Sequence, residues 1–169
     1  MPQTRIESAL TRLRLSRSLI EEYIADLAPG EWFWQPSEGV THVAWQVGHL
    51  TLVEYGLLLK RVRGERPEDA ELLPAADFSK AFGRGSTPNP DPQANPSGAE
   101  LNATLHRVHE KAMAEVALYT DEQLDVRLTE PHPRFATKLE AIEFCSQHEL
   151  LHAGQIALLR RLMGRPPLR

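Results

Sequence analysis

Apolar residues recur at three- and four-residue steps through four stretches of the chain, which is the spacing of one buried face of an α-helix. The first stretch ends at Pro29 and Gly30, and the others run from about residue 41 to 62, 98 to 119 and 137 to 163. None of these stretches alternates apolar and polar residues as a half-buried strand does. The pattern predicts an all-α protein built as a four-helix bundle.

Residues with known preferences for helix ends support these boundaries. Thr41 is the expected N-cap of the second helix. Gly164, with two prolines just beyond it, is expected to end the fourth helix, which follows a loop containing Pro131 and Pro133.

The segment from 63 to 97 is rich in Pro, Gly and Ala, and only residues 77–82 resemble a short helical turn. It forms a long loop between the second and third helices. Loops of this length in compact domains are usually functional or disordered. We therefore expect either a lid over a binding pocket or a mobile connection.

Composition narrows the classes of function. The 169 residues fit a single domain, 1–169, with net charge −4 and basic residues scattered among acidic ones. That distribution argues against binding nucleic acid. The polar N-terminus lacks the apolar core of a signal peptide, and no apolar run is long enough for a membrane span. We expect a cytoplasmic protein without a membrane partner.

Two histidines near the C-terminus carry the strongest chemical signal. His148 and His152 are four residues apart in a helical stretch, so both imidazoles leave one face and can bind the same ion. Imidazole suits zinc or nickel. Two ligands rarely hold a metal alone, and residues 153–169 contain no His, Asp, Glu or Cys. The best third ligand is His49, although a single histidine on an apolar helix face is more often a core residue.

The same residues spell His-Glu-x-x-His, the helical signature of zinc proteases, in which Glu149 would be the general base. Those proteases usually take a third ligand from downstream, where this chain offers none. Glu149 remains a candidate catalytic base acting on a bound water. The alternative is that its side chain lies on the solvated face of the helix and has no catalytic role.

Other polar residues have weaker claims. Cys145 and Gln155 lie three residues from a candidate ligand and are expected to border the pocket, while Gln46, Glu54 and Gln155 could orient the imidazoles. His42 lies two helical turns before His49, too far to share its ion. His106 and His109 are expected to be structural or surface residues, and His132 lies in a loop that could approach the site. Three arginines are expected to lie at the C-terminal end of the fourth helix, where one of them could bind an anionic substrate: Arg160, Arg161 and Arg165.

The motifs Gly48-His49-Leu50 and His148-x-x-x-His152-Ala-Gly-Gln-Ile, together with the Phe82–Pro88 loop and the opening helix, resemble the DinB-like superfamily, which includes the YfiT-type proteins. The resemblance spans most of the chain. It implies a four-helix bundle in which His49, His148 and His152 bind a divalent metal with open positions. It also implies a homodimer. Relatives include S-transferases that use bacillithiol, isomerases that use mycothiol and metal-dependent hydrolases.

The leading hypothesis is a metal-dependent enzyme that activates a thiol or a water molecule for a small-molecule substrate, with a low-molecular-weight thiol as the candidate cosubstrate. The alternative is a non-catalytic bundle that contains a metal and serves binding or dimerisation.

Overall fold

The computed structural model describes residues 4–168, most of which are helical, and the first three residues of the polar N-terminus lie outside this range. None of the described helices is long and apolar enough to cross a membrane. In chain order the α-helices are α1 (Arg5–Ile24), α2 (Val43–Glu54), α3 (Ala75–Phe82), α4 (Gly98–Val116), α5 (Asp121–Leu124) and α6 (Lys138–Leu162).

The four long predicted helices correspond to α1, α2 with its continuation, α4 and α6. Helices α1, α4 and α6 begin at capping boxes, in which a hydroxyl accepts the backbone N–H three residues on and a glutamate there returns the bond. The capping hydroxyls belong to Thr4, Ser97 and Thr137. These boxes fix where the apolar faces begin.

The N-cap of α2 is His42, so the prediction of Thr41 was wrong. The His42 Nδ1 atom accepts the backbone N–H of Trp45 at 3.0 Å, and the helix begins at Val43. The Thr41 hydroxyl instead accepts a hydrogen bond of 2.6 Å from Gln46 Nε2. An imidazole nitrogen can accept in the same way as a capping oxygen, which displaces the boundary by one residue.

Helix α2 continues without a break as a π-helix, Tyr55–Gly64. Its wider turns rotate the side chains away from the positions that a continuous α-helix would give them. The π-helix ends at Gly64, whose φ of 100° is a left-handed value that glycine adopts without strain. Three- and four-residue apolar spacing does not distinguish this geometry from an α-helix.

The segment from 63 to 97 is more ordered than its composition suggests. It contains a 3₁₀ turn, Pro67–Glu71, and then α3, which includes the turn expected at 77–82. Leu73, Phe78 and Phe82 are buried in the core. This part of the connection is therefore packed against the helices.

A small antiparallel hairpin, which the sequence did not predict, precedes α6 in a mostly helical fold that agrees with the predicted all-α class. Strand β1 (Arg127–His132) pairs with β2 (Phe135–Thr137), with an irregular register between them. β2 packs against α6, and β1 contacts the π-helix. The predicted loop with two prolines thus folds back over the helices, and its strands are too short to show a clear alternating pattern.

The helices pack around a shared apolar core. α1 lies along α6, while α2 contacts α3, α4 and α6. Fully buried leucines and isoleucines from these helices fill the interior: Leu13, Ile20, Leu50, Leu58, Leu101, Leu105 and Ile142. Because α2 and α6 are neighbours, residues on their facing sides can meet.

Candidate metal centre

Three histidines meet where α2 faces α6. His49 comes from α2, and His148 and His152 come from successive turns of α6. Each offers one ring nitrogen, and these nitrogens all lie within 4.8 Å of one another. The Nε2 atoms of His148 and His152 are 3.2 Å apart. A tetrahedral zinc ion with Zn–N bonds of about 2.0–2.1 Å needs separations of roughly 3.3 Å, so the His148–His152 pair already has the spacing of zinc ligands and His49 lies close enough to join it.

Hydrogen bonds hold two of the imidazoles in one tautomer. The Nδ1–H group of His49 donates to the carbonyl oxygen of Phe82 at 2.7 Å, and that of His152 donates to Gln46 Oε1. In both rings Nε2 is left with a free lone pair. Gln46 is the orienting residue that the sequence suggested, and its amide nitrogen is held by Thr41. Such outer partners fix the direction and basicity of a metal ligand.

The third ring has an unfilled hydrogen-bonding position. His148 Nδ1 is buried and has no hydrogen-bond partner among the described residues. Its Nε2 atom faces the lone pair of His152 Nε2. The donor chemistry of the group fits a cation, because neutral imidazoles offer nitrogen lone pairs and three ring nitrogens lie close together here.

The surroundings keep these imidazoles neutral. Burial, followed by the charges of neighbouring rings, lowers the pKa of His148 to about 4 and that of His152 to about 3. Burial also lowers the pKa of His49. Metal binding requires an unprotonated nitrogen. The site is therefore ready to bind a metal at neutral pH without first releasing protons.

Close packing positions His49. Trp45 stacks on its ring with centroids 4.7 Å apart and planes inclined by 9°. A Cβ atom on Gly48 would lie 2.4 Å from the Phe82 ring, so only glycine allows α3 to approach α2 this closely. That approach brings the Phe82 carbonyl to His49. The sequence pair Gly48-His49 thus has a physical reason.

The cluster opens into a cavity of about 600 Å³. His49 and His148 lie at its inner wall, and His132 from the hairpin lines it as well, as the loop position of this residue suggested. The rest of the lining is mainly apolar or arginine: Val53, Gly56, Leu57, Arg61, Arg84, Pro133, Arg134, Phe135 and Phe144. A small molecule in this cavity would reach His49 and His148 directly, whereas His152 does not line it.

Glu149 does not line this cavity. It is buried, accepts a hydrogen bond of 2.6 Å from the Ser16 hydroxyl and is paired with Arg17. Arg17 also binds Glu54 at 2.6 Å, and the Nδ1–H group of His109 donates to Glu54 at 2.7 Å. We call these five residues the Arg17 cluster. The solvated position considered for Glu149 was wrong, and its catalytic role stays a prediction.

Several other candidates have structural partners. Cys145 is buried next to the Arg17 cluster, where burial raises the pKa of its thiol, and Gln155 is exposed on α6. Neither lines the cavity. Glu54 pairs with Arg17 and His109 instead of orienting one of the three imidazoles of the metal centre. His42 is occupied as an N-cap and contacts the carbonyl of Asn89 at 2.9 Å.

Two of the three arginines around the end of α6 bind carboxylates of the chain, and the third, Arg161, is exposed. Arg160 pairs with Asp26, and Arg165 pairs with both Asp26 and Glu31. They tie the C-terminal end of α6 to the region after α1. The arginines that do line the cavity are Arg61, Arg84 and Arg134, which the sequence had not singled out.

Comparison with known proteins places the chain in a family. The family model of the DinB superfamily matches residues 12–156, a range that includes all three histidines. The chain belongs to the DinB superfamily. This DinB protein also resembles a crystal structure described as a conserved protein of locus from Enterococcus faecalis, with 15% identity and a TM-score of 0.71 over 97% of this chain and 100% of that one. At that identity the likeness concerns the fold. A search of curated proteins finds no match.

Proposed function

We propose that the protein is a metal-dependent enzyme in which His49, His148 and His152 hold a divalent ion, zinc or nickel, at the inner wall of a substrate cavity. The helices would act as a four-helix bundle of the DinB type that brings the three imidazoles together. One observation carries the proposal: three imidazoles, two of them oriented by hydrogen bonds, converge beside a cavity large enough for a small molecule.

Three protein ligands are typical of a catalytic zinc site, whereas structural zinc sites usually have four. His49, His148 and His152 would hold such an ion, and its Lewis acidity would lower the pKa of a thiol or a water molecule in the cavity. The open cavity next to the histidines favours this interpretation over a purely structural metal.

The chain's own residues would contribute orientation and exclusion of water. Phe82 and Gln46 fix the tautomers of His49 and His152 through their hydrogen bonds. The apolar walls formed by Val53 and Leu57 limit water around the reacting group. Family resemblance favours a thiol cosubstrate, giving an S-transferase of the bacillithiol or mycothiol type, with hydrolysis as the other reaction.

Metal content tests the site. Untagged wild-type protein, His49→Ala, His152→Ala and the control His106→Ala would be analysed by plasma mass spectrometry, with circular dichroism to confirm folding. His106 is an exposed histidine on α4. We expect near-stoichiometric zinc or nickel in the wild type and in His106→Ala, and its loss in the other two variants.

Retention of metal by a folded His152→Ala variant, or failure of the wild type to bind zinc or nickel after reconstitution, would contradict the proposal. Cobalt-substituted protein distinguishes the enzyme from the non-catalytic alternative. If an exchangeable position faces the cavity, added cysteine should produce a sulfur-to-cobalt charge-transfer band. An unchanged spectrum would argue against thiol activation.

A further inference from the structure

The cavity beside the histidines has a local excess of positive charge. Arg61, Arg84 and Arg134 line it, and its lining includes no Asp or Glu of the part of the chain that the structure describes. The chain as a whole has 23 acidic and 19 basic residues, with a net charge of −4. The positive cavity is therefore a feature of the fold and not of the overall composition.

The three arginines come from separate elements. Arg61 lies on the π-helix, Arg84 follows α3, and Arg134 lies between the two strands of the hairpin. No single helix end or run of basic residues accounts for their meeting. Their convergence depends on the same tertiary packing that positions the histidines.

Two of these guanidinium groups have no carboxylate partner among residues 4–168. Arg84 is exposed, and the Arg134 guanidinium lies 5.8 Å from the centre of the Phe144 ring. Arg61 is 3.2 Å from Glu130, a side chain that is 67% exposed, and such surface pairs are weak. Elsewhere most arginines are paired with carboxylates: Arg5, Arg12, Arg17, Arg63, Arg66, Arg160 and Arg165.

The neighbouring histidine responds to these charges. Burial lowers the pKa of His132, and the positive charges of Arg61 and Arg134 lower it further. The guanidinium groups therefore act on the same space that His132 lines. An anion entering this space would meet a favourable potential before it reached the inner wall.

The remaining walls fit an apolar molecular body. Leu57, Phe135 and Phe144 present aliphatic and aromatic surface to the cavity. Its volume of about 600 Å³ lies in the range of sites that bind small organic molecules. A bare inorganic anion would leave these walls without contacts.

We infer that the cavity binds a small organic anion, with its carboxylate or phosphate group held by Arg84, Arg134 and Arg61 and its apolar body packed on Phe144 and Leu57. This assignment rests on the proposed function, because it names the substrate class of the same site. Guanidinium groups can bind an oxyanion through paired N–H donors, which gives direction as well as attraction. The reacting part of the molecule is thereby turned toward the histidines.

Binding to metal-free protein tests the arginines without any contribution from a metal. The full chain, stripped with a chelator, would be titrated calorimetrically with benzoate, benzamide and phenyl phosphate, which share a phenyl body and differ in charge and headgroup. The test variant is Arg84→Gln/Arg134→Gln. The control is Arg14→Gln/Arg107→Gln, which removes two exposed arginines from α1 and α4 that do not line the cavity.

We expect at least one of the two anions to bind about tenfold more tightly than benzamide, and the test variant to lose this preference while the control retains it. The tighter of the two anions identifies the headgroup. Equal binding of both anions and benzamide, or an unchanged preference in the test variant, would overturn the inference. The two proposals can fail separately. If the protein prefers the anions but binds no metal, only the proposed metal function is wrong. If it binds metal but does not prefer the anions, only the proposed organic-anion site is wrong.

Discussion

Helices α2 and α6 contribute residues to two polar clusters, one made of paired charges and the other of neutral imidazoles. In the Arg17 cluster, Arg17 lies between Glu54 and Glu149, and all three side chains are at most 2% exposed. In the metal centre, three neutral imidazoles converge without a counterion. His148 and Glu149 are adjacent in the chain, yet each belongs to a different cluster.

The difference follows from direction around the helix. Successive residues of an α-helix point about 100° apart, so Glu149 turns toward α1 while His148 turns toward the cavity. Burial opposes the ionisation of Glu54, but the Arg17 charge and the His109 hydrogen bond hold its pKa below the ordinary value. The buried charges of the Arg17 cluster are therefore paired with one another, Arg17 with Glu54 and Glu149. The imidazoles stay neutral and can accept a partner from outside.

Removal of Arg17 should have the largest effect on stability. Arg17→Met would leave two buried carboxylates without their guanidinium, which typically costs about 3–5 kcal/mol. Chemical denaturation of metal-free protein would measure the loss, with Arg14→Met on the exposed face of α1 as the control. Metal content of any folded fraction should not change, because Arg17 does not contact the histidines.

The triple variant Arg17→Met/Glu54→Gln/Glu149→Gln sharpens this result. It removes all three charges together, so much of the lost stability should return. A stability of Arg17→Met equal to that of the wild type would show that the cluster is not an energetic unit. The contrast between the Arg17 cluster, whose charges stabilise one another, and the metal centre would then be wrong.

Acid should destabilise the metal-free protein through the histidines. The pKa values of His148 and His152 in the folded state, about 4 and about 3, lie below their unfolded values, so below pH 6.5 the unfolded chain binds more protons. Stability is thus unaffected by these groups above pH 7 and falls as the pH drops. The slope is roughly 1 kcal/mol per pH unit for each histidine, and less for the partly exposed His148.

Urea denaturation of chelator-treated protein at pH 7, 6 and 5 would measure this slope. The double variant His148→Gln/His152→Gln should show a clearly flatter dependence over the same interval. If both proteins lost stability equally, groups other than His148 and His152 would cause the acid response. Burial of these two imidazoles would then have no measurable effect on the pH dependence of the free energy of unfolding.

The features of the fold and of the metal centre that could be predicted from the sequence are those whose residues lie close together along the chain. The spacing of His148 and His152 lies within one helix turn, so it predicted their shared face directly. His49 was the best third candidate from its place in an apolar helical stretch, but only the family resemblance tied it to the pair, because its partners are about 100 residues away. The start of the fourth helix near residue 137 was also local and was predicted closely, whereas the predicted N-cap Thr41 was displaced by one residue because the His42 imidazole caps α2.

The missed features depend on tertiary packing. The sequence contains no local sign that Arg17 and Glu149 pair in the interior, since charged residues usually lie on solvated faces. Arg61, Arg84 and Arg134 meet only when three separate segments fold together. The π-helix also lacked a signal, because it continues the apolar pattern of α2 while changing the direction of its side chains.

Gln46 offers the most selective test of the metal centre, with the smallest expected effect. Its Oε1 atom accepts the Nδ1–H group of His152, so Gln46→Leu would release that ring and leave its donor unpaired. Loss of an outer partner lowers metal affinity by about tenfold or more. Competition with a chromophoric chelator would measure the change, and Gln147→Leu on the exposed side of α6 is the matched control.

The conservative variant Gln46→Glu separates orientation from packing. A carboxylate at this position still accepts from His152 Nδ1, so metal affinity should stay close to that of the wild type, although the bond donated to Thr41 is lost. Equal loss in Gln46→Leu and Gln46→Glu would mean that the Thr41 bond, or the shape of the glutamine, positions His152. Equal affinity in all three proteins would show that packing between α2 and α6 alone orients the imidazole, and the hydrogen bond would then be a consequence of that packing.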